Sequence, residues 1–329
     1  MRTHRSAPKI SLVVFCLFPL FSPGSPAEAQ HRLGTPTFVR ERENKRIERL
    51  IAESGAETVG VAFFDLATGD ELLINPDENF HAASTMKVPV MIEVFRQARA
   101  RLLSLDDRLP VKNEFLSIVD GTHYSLSPES DSDVTLYKRI GQYESIRELV
   151  RLMIDVSSNL ATNLLIERVT PGRVMETMRG IGARNIRVLR GVEDSKAFQK
   201  DLNNTTTARD LMLILRHIAQ RRAVSRHASE EMIGVMLDQK FNEGIPAGLP
   251  KGVRVAHKTG SITGINHDAA IVYPPGRKPY VLVVLTRGLA DEGKAQTLIK
   301  EISRNVYASL RQKKTRDQRS KIRNLTSDL

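Results

Sequence analysis

Apolar positions along the chain change their period twice. Residues 37–54 carry Phe38, Ile47, Leu50 and Ile51 on one side of a charged segment, which predicts an amphipathic helix. Residues 58–66 (TVGVAFFDL) and 70–74 (DELLI) are short apolar runs around Ala67-Thr68-Gly69, a pattern that predicts two strands joined by a hairpin turn. From residue 84 the spacing becomes helical. Met86, Val90, Met91, Val94 and Phe95 fall on the buried side of a predicted helix over 84–102, and Pro89 sits in its first turns, where proline is tolerated. Segments 145–154, 159–169, 172–180, 207–220 and 228–238 keep helical spacing, with Asn204 and Thr205 to Thr207 as N-cap candidates for the fourth. Strand-like runs return at 253–259, 267–273 and 279–287, with Pro274-Pro275-Gly276 turning between the last two, and a final helix is predicted over about 291–311. Residues 112–141 contain the polar stretch DGTHYSLSPESDSD and read as a long loop, with Tyr124 on its surface or at the cleft.

Strands at both ends with helices between them predict an α/β protein of the α+β type. An antiparallel sheet flanked by helices is built from both chain ends and carries an inserted all-helical lobe. The expected division is an α/β lobe from 37–83 and 250–311, a mainly helical lobe from 84–249, and a basic, disordered tail at 312–329. Residues 1–29 read as a signal peptide. Arg2, Arg5 and Lys9 precede the apolar run ISLVVFCLFPLFS at 10–22, and Ala27-Glu28-Ala29 resembles a cleavage site. The run is too short to span a bilayer comfortably and contains Pro19, although a retained anchor is the alternative. Export to the periplasm or the medium, with no stable membrane insertion after cleavage, is therefore expected.

Composition adds little beyond this. Hydrophobic residues at 41% and charged residues at 26% are ordinary for a globular protein. The only cysteine, Cys16, lies in the leader, so the exported chain has no disulfide and no thiolate metal site. A net charge of +11 raises the question of nucleic acid. Export argues against it, and Arg311, Lys313, Lys314, Arg316, Arg319, Lys321 and Arg323 concentrate much of the charge in a solvated tail. Loose affinity for anionic envelope polymers is the other reading of that tail.

Three short motifs carry the chemistry. Ser84-Thr85-Met86-Lys87 puts a hydroxyl and an amine on one face of a helix start, where a partly neutral lysine, or a water it orients, can take the serine's proton. Ser157-Ser158-Asn159 begins another predicted helix, and taken alone either serine is an ordinary N-cap. Lys258-Thr259-Gly260 ends a predicted strand, where glycine allows close approach of a ligand backbone. In this order the motifs resemble the superfamily of β-lactamases and penicillin-binding serine hydrolases, and most closely its class A serine β-lactamases. The resemblance covers about residues 40–311. It is strong around Ser84, where the string runs on through Val88-Pro89-Val90-Met91, and around Lys258. It is weaker at Ser157, where the family's middle aspartate is replaced by Ser158.

The resemblance implies roles. Ser84 is the nucleophile, Lys87 its base and Ser157 the proton relay to the leaving nitrogen. Asn159 binds the substrate's side-chain amide, and Lys258 and Thr259 bind its carboxylate. Gly260 admits the substrate to the strand edge, and the Ser261 amide joins that of Ser84 as the oxyanion hole. Arg187-Val188-Leu189-Arg190-Gly191-Val192-Glu193 looks like the start of the family's Ω-shaped loop, which makes Glu193 the deacylating base, with Asp194 as its rival. The family's Leu-Asn pair after that acid is absent. His267 is expected to stand where related enzymes place a carboxylate-binding arginine, or else to be a structural histidine in a turn. No cofactor is called for, and His257, His267 and Asp268 lack metal-ligand spacing. The expected partner is a small β-lactam or a cell-wall peptide analogue, bound by a monomer. A serine β-lactamase is the leading reading. A D-alanyl-D-alanine peptidase or other slowly deacylating serine hydrolase is the alternative, and a non-catalytic sensor of wall fragments is a third.

Overall fold

The computed structural model describes residues 37–327, with side-chain detail for 42–310; the predicted leader at 1–29 lies outside the described residues. The main sheet has five antiparallel strands: β1 (Thr58–Asp65), β2 (Glu71–Ile74), β3 (Arg254–Ile262), β4 (Ile265–Tyr273) and β5 (Tyr280–Arg287). Their order across the sheet is β2-β1-β5-β4-β3. Strand β1 pairs with β5 along its whole length, from Thr58 opposite Arg287 to Asp65 opposite Tyr280, so the two ends of the chain meet mid-sheet. β3 is left as an edge strand.

The helices are α1 (Thr37–Ser54), α2 (Lys87–Arg99), α3 (Ile146–Asp155), α4 (Asn159–Val169), α5 (Pro171–Ile181), α6 (Ser195–Gln199), α7 (Ala208–Ala219), α8 (Arg226–Leu237) and α9 (Glu292–Ser327). Alternation along β1 shows how they cover the sheet. Val59, Val61 and Phe63 enter one core with Ile47 of α1 and Ala295, Ile299 and Ile302 of α9. Ala62 and Phe64 enter the other, with the apolar faces of α2, α3, α4, α5, α7 and α8. A strand that is buried on both faces reads as a continuous apolar run, as β1 does.

Several elements differ from the sequence expectation. Strand β3 continues through Ile262, which places Lys258-Thr259-Gly260 within the strand rather than at its end, and Gly264 with φ +73° makes the turn into β4. The segment 112–141 is folded, not an open loop. Phe115–Leu116 pairs with His123–Tyr124, and Arg108–Pro110 pairs with Tyr143–Ser145. Val111, Phe115, Leu126 and Leu136 anchor it in the main core, and their spacing among polar residues has no helical or strand period. The segment at 312–329, expected as a disordered tail, continues α9 as far as Ser327, and it holds no glycine or proline to stop the helix.

Candidate active site

Ser84 lies in a 3₁₀ turn, Ala83–Met86, that runs directly into α2. Ala83 has φ +45°, a left-handed conformation that costs a non-glycine residue about 1 kcal/mol or more, so the backbone is strained immediately before the serine. Ser84 is partly exposed, whereas Lys87 is fully buried. The Lys87 Nζ donates to Ser157 O (2.5 Å), Ser157 Oγ (3.1 Å) and Asn159 Oδ1 (2.8 Å). Burial strips water from the ammonium and lowers its pKa to about 7, against the opposing pull of Asp131 and Glu193. A large fraction of Lys87 is therefore a free amine near neutrality.

Ser157 (φ +59°) turns between α3 and α4. Its Oγ accepts from Lys87 on one side and from Lys258 Nζ (3.0 Å) on the other. Lys258 also donates to Thr259 O (2.8 Å). Its pKa is held well below the usual lysine range by burial and by the nearby Lys87, with Asp268 pulling the other way. Capping is done by the neighbouring residue: Ser158 Oγ accepts from Ala161 N at 3.2 Å. Ser157 is thus free of the capping role and stands between two amines.

Asn159, the first residue of α4, joins the halves of the site. Its Oδ1 accepts from Lys87 and its Nδ2 donates to Glu193 Oε1 at 2.8 Å. Glu193 (φ +62°) therefore faces the site, and Ser130 Oγ lies 3.4 Å from its other oxygen. Asp194 lies along the same loop, but its carboxylate is engaged elsewhere. Its buried carboxylate caps α6 at Ala197 N and accepts from Ser117 Oγ and Ile118 N. The loop carrying Glu193 is closed at its base by Arg190, which donates to Leu202 O, Gly191 O and Asn203 Oδ1. Asn204 bonds Leu189 N, Arg190 N and Arg190 O. Of the caps the sequence offered for α7, Asn204 and Thr205 to Thr207, it is Thr207 that takes the place, its side chain accepting from Asp210 N. Asn163 clamps both backbone atoms of Val192, at 2.7 and 3.1 Å, and the half-buried Tyr124 donates to Val192 O.

Two cavities meet at Ser84. One, of about 380 Å³, runs past Ser130, Ser132, Ser157, Thr259 and Gly260. The other, of about 640 Å³, runs between Val192, Glu193 and Phe198 on the loop and Ser261 and Ile262 on β3. Gly260 packs so closely on the serine turn that a Cβ there would lie 2.9 Å from Ser84 N and 3.0 Å from Thr85 N. This contact sets the Ser84 amide beside β3.

His267 corrects an expectation. It lies along the first cavity, but its ring is buried and its nitrogens contact only backbone: Nδ1 near Asn266 O and Thr286 N, Nε2 near His81 O. Burial lowers its pKa to about 4, so it is neutral and brings no charge to a carboxylate. His257 bonds the buried Asp268 at 2.9 Å, and no group of residues fit to hold a metal occurs among the described residues.

Sequence reasoning missed Asp131, Tyr137, Ser130, Asn163 and Asn204. Asn204 read only as a helix cap, and the Asp-Ser-Asp run in a polar stretch looks like solvated loop.

With this geometry in place, comparison with known proteins gives consistent results. The family model described as "Beta-lactamase enzyme family" matches residues 43–310. Beta-lactamase Toho-2 of Escherichia coli is 30% identical over 259 residues, covering 76% of this chain and 83% of that one. An ancestral class A beta-lactamase superposes with a TM-score of 0.70 at 27% identity, covering 81% of this chain and 99% of that one. A mutant of PBP-A, solved as an acyl-enzyme complex with penicillin-G, superposes with a TM-score of 0.72 at 26% identity, covering 83% and 97%.

Proposed function

Because the chain belongs to the beta-lactamase enzyme family over residues 43–310, we propose that it is a serine β-lactamase, which opens β-lactam antibiotics through an acyl-Ser84 intermediate. The observation that carries this reading is the Ser157 hydroxyl held between Lys258 and Lys87, the latter one helical turn along the chain from Ser84.

Ser84 Oγ attacks the lactam carbonyl, and the neutral fraction of Lys87 takes its proton, directly or through water held toward Glu193. The oxyanion sits between the amides of Ser84 and Ser261. Lys258 and Thr259 meet the substrate carboxylate; His267 does not. Ser157 gives its proton to the ring nitrogen as the C–N bond breaks, and the lysines on either side restore it. Glu193 then draws a proton from water, which attacks the acyl-serine and releases the opened acid. Asn159 spends both ends of its amide on Lys87 and Glu193, so a substrate amide must share it.

No helix among the described residues is long and apolar enough to cross a membrane. The leader-like residues 1–29 support export, and the substrate would be met outside the cytoplasm.

Time-resolved intact mass with excess benzylpenicillin tests the reading, with Ser84→Ala as control. A penicilloyl adduct on Ser84 that clears as the drug is consumed is expected. A persistent adduct would make the protein an acylated binder rather than a β-lactamase, and an adduct on Ser84→Ala would remove the nucleophile.

A further inference from the structure

We propose that Asp131 is a positioning residue of this site: its carboxylate, delivered by the 127–133 segment, holds the start of α4 so that Asn159 stays between Lys87 and Glu193. The inference rests on the acylation chemistry proposed above.

The first turn of a helix has amides without intrahelical partners. In α4 they are divided between two residues. Ser158 serves Ala161 N. Asp131 serves the two before it: Asn159 N lies 2.9 Å from both carboxylate oxygens, and Leu160 N lies 2.9 Å from Oδ2. Tyr137 Oη donates to Oδ2 at 2.9 Å and Asp133 N to Oδ1 at 3.2 Å. Asp131 is only 7% exposed, and a carboxylate so far from water persists when its oxygens are matched by donors in this way.

The amide it grips belongs to Asn159, whose side chain touches both Lys87 and Glu193. On either side of Asp131, Ser132 Oγ lies 3.4 Å from Ser157 O and Ser130 Oγ 3.4 Å from Glu193. A cap alone does not need this arrangement, since Ser158 already caps the helix. The family's aspartate within the Ser-x-Asn triplet is missing here, and Asp131 brings a carboxylate to the same turn from 28 residues earlier in the chain.

Asp131 also acts on Lys87 through its charge. The charged groups facing Lys87 are Asp131 and Glu193, which favour the ammonium, and Lys258 across the Ser157 hydroxyl. Without the Asp131 charge, Lys87 loses its proton at lower pH.

The test is Asp131→Asn, read by the pH dependence of acylation and by ¹³C NMR titration of the lysine side chains. The expected result is a fall of about tenfold or more in kcat/KM for acylation, from a misplaced Asn159. The ascending limb of its pH profile and the Lys87 titration should both move to lower pH. Lower thermal stability with both titrations unmoved would make Asp131 a mere cap and overturn the proposal. The NMR titration needs no substrate, so a wild-type protein that penicillin fails to acylate would refute the β-lactamase reading while the NMR still judges Asp131. Should Asp131→Asn fail to fold, Asp131→Glu decides, since it keeps the charge but moves it by one methylene. Reduced kcat/KM with an unmoved limb is expected there, and wild-type kcat/KM would overturn the positioning role.

Discussion

Ser157 shows how little protein is needed to set the proton chemistry. A hydroxyl has two acceptor lone pairs, and here both point at buried amines, 3.1 Å from Lys87 and 3.0 Å from Lys258. Its own proton is left free to face the cleft. The proposed base, Lys87, can act only when neutral, and burial brings its pKa to about 7. Below that value it is protonated and cannot accept the Ser84 proton, so acylation falls as pH drops; above it the amine is free and the rate rises to a plateau. Stopped-flow acylation by a chromogenic cephalosporin between pH 5 and 9 is expected to show this limb centred near 7. A flat profile would mean that Lys87 is not the base. The residues proposed for this machinery could be nominated from the sequence because each lies in a short contiguous motif. His267 stayed open between an anion ligand and a structural histidine because its residue type fits either, whereas its place between His81 O and the backbone of β4 and β5 is decided by tertiary structure. Asp131 was illegible for the same kind of reason: nothing in its neighbourhood says that α4 begins against it.

At the scale of elements, the site is a contact between an edge strand and a strained turn. β3 has a neighbour on one side only, β4, and its Gly260 packs on the Ser84 turn. Gly260 makes the approach possible, because both nearest atoms to a Cβ there are backbone nitrogens that cannot swing away. Gly260→Ala is therefore expected to push the Ser84 turn off the strand and spoil the oxyanion geometry. Loss of one such donor costs about 10²–10³ in rate. Acylation kinetics and a thermal melt on the same sample check this: a large drop in acylation with a folded protein is expected, and wild-type acylation would show that the turn has room to spare. The sheet strands and most helices were legible from periodicity, since their apolar faces meet large cores. The 112–141 segment was not, because its four anchors are spaced by the shape of the helical lobe rather than by a repeat. The sequence nominated an acid for the Glu193 loop but not the loop's ties, since Asn163 and Asn204 look like ordinary helix and cap residues.

For the molecule as a whole, the pairing of β1 with β5 makes one cooperative sheet out of distant segments, and the two faces of that sheet do different work. The face toward α2, α4 and α7 carries the serine turn and the helical lobe. The face toward α1 and α9 is packed by Ile47, Val59, Val61, Leu282, Ile299 and Ile302 and serves stability. Ile299 reaches the first cavity; Ile302, nearly a turn further along α9, is fully buried in the second core and lines neither cavity. Ile302→Ala removes buried methyl groups where neighbours on both the helix and the sheet limit collapse, a change that costs about 2–5 kcal/mol. In a protein of this size each kcal/mol lowers Tm by about 2–4 °C. Calorimetry is expected to show a drop of that order, while acylation at 25 °C stays within about twofold of wild type because no active-site contact is lost. Unfolding followed by circular dichroism and by loss of acylation should coincide in urea, since the sheet that carries β3 and Gly260 is packed into both cores. An acylation midpoint well below the spectroscopic one would mean that the edge strand detaches on its own, and that the second core protects the sheet without protecting the site.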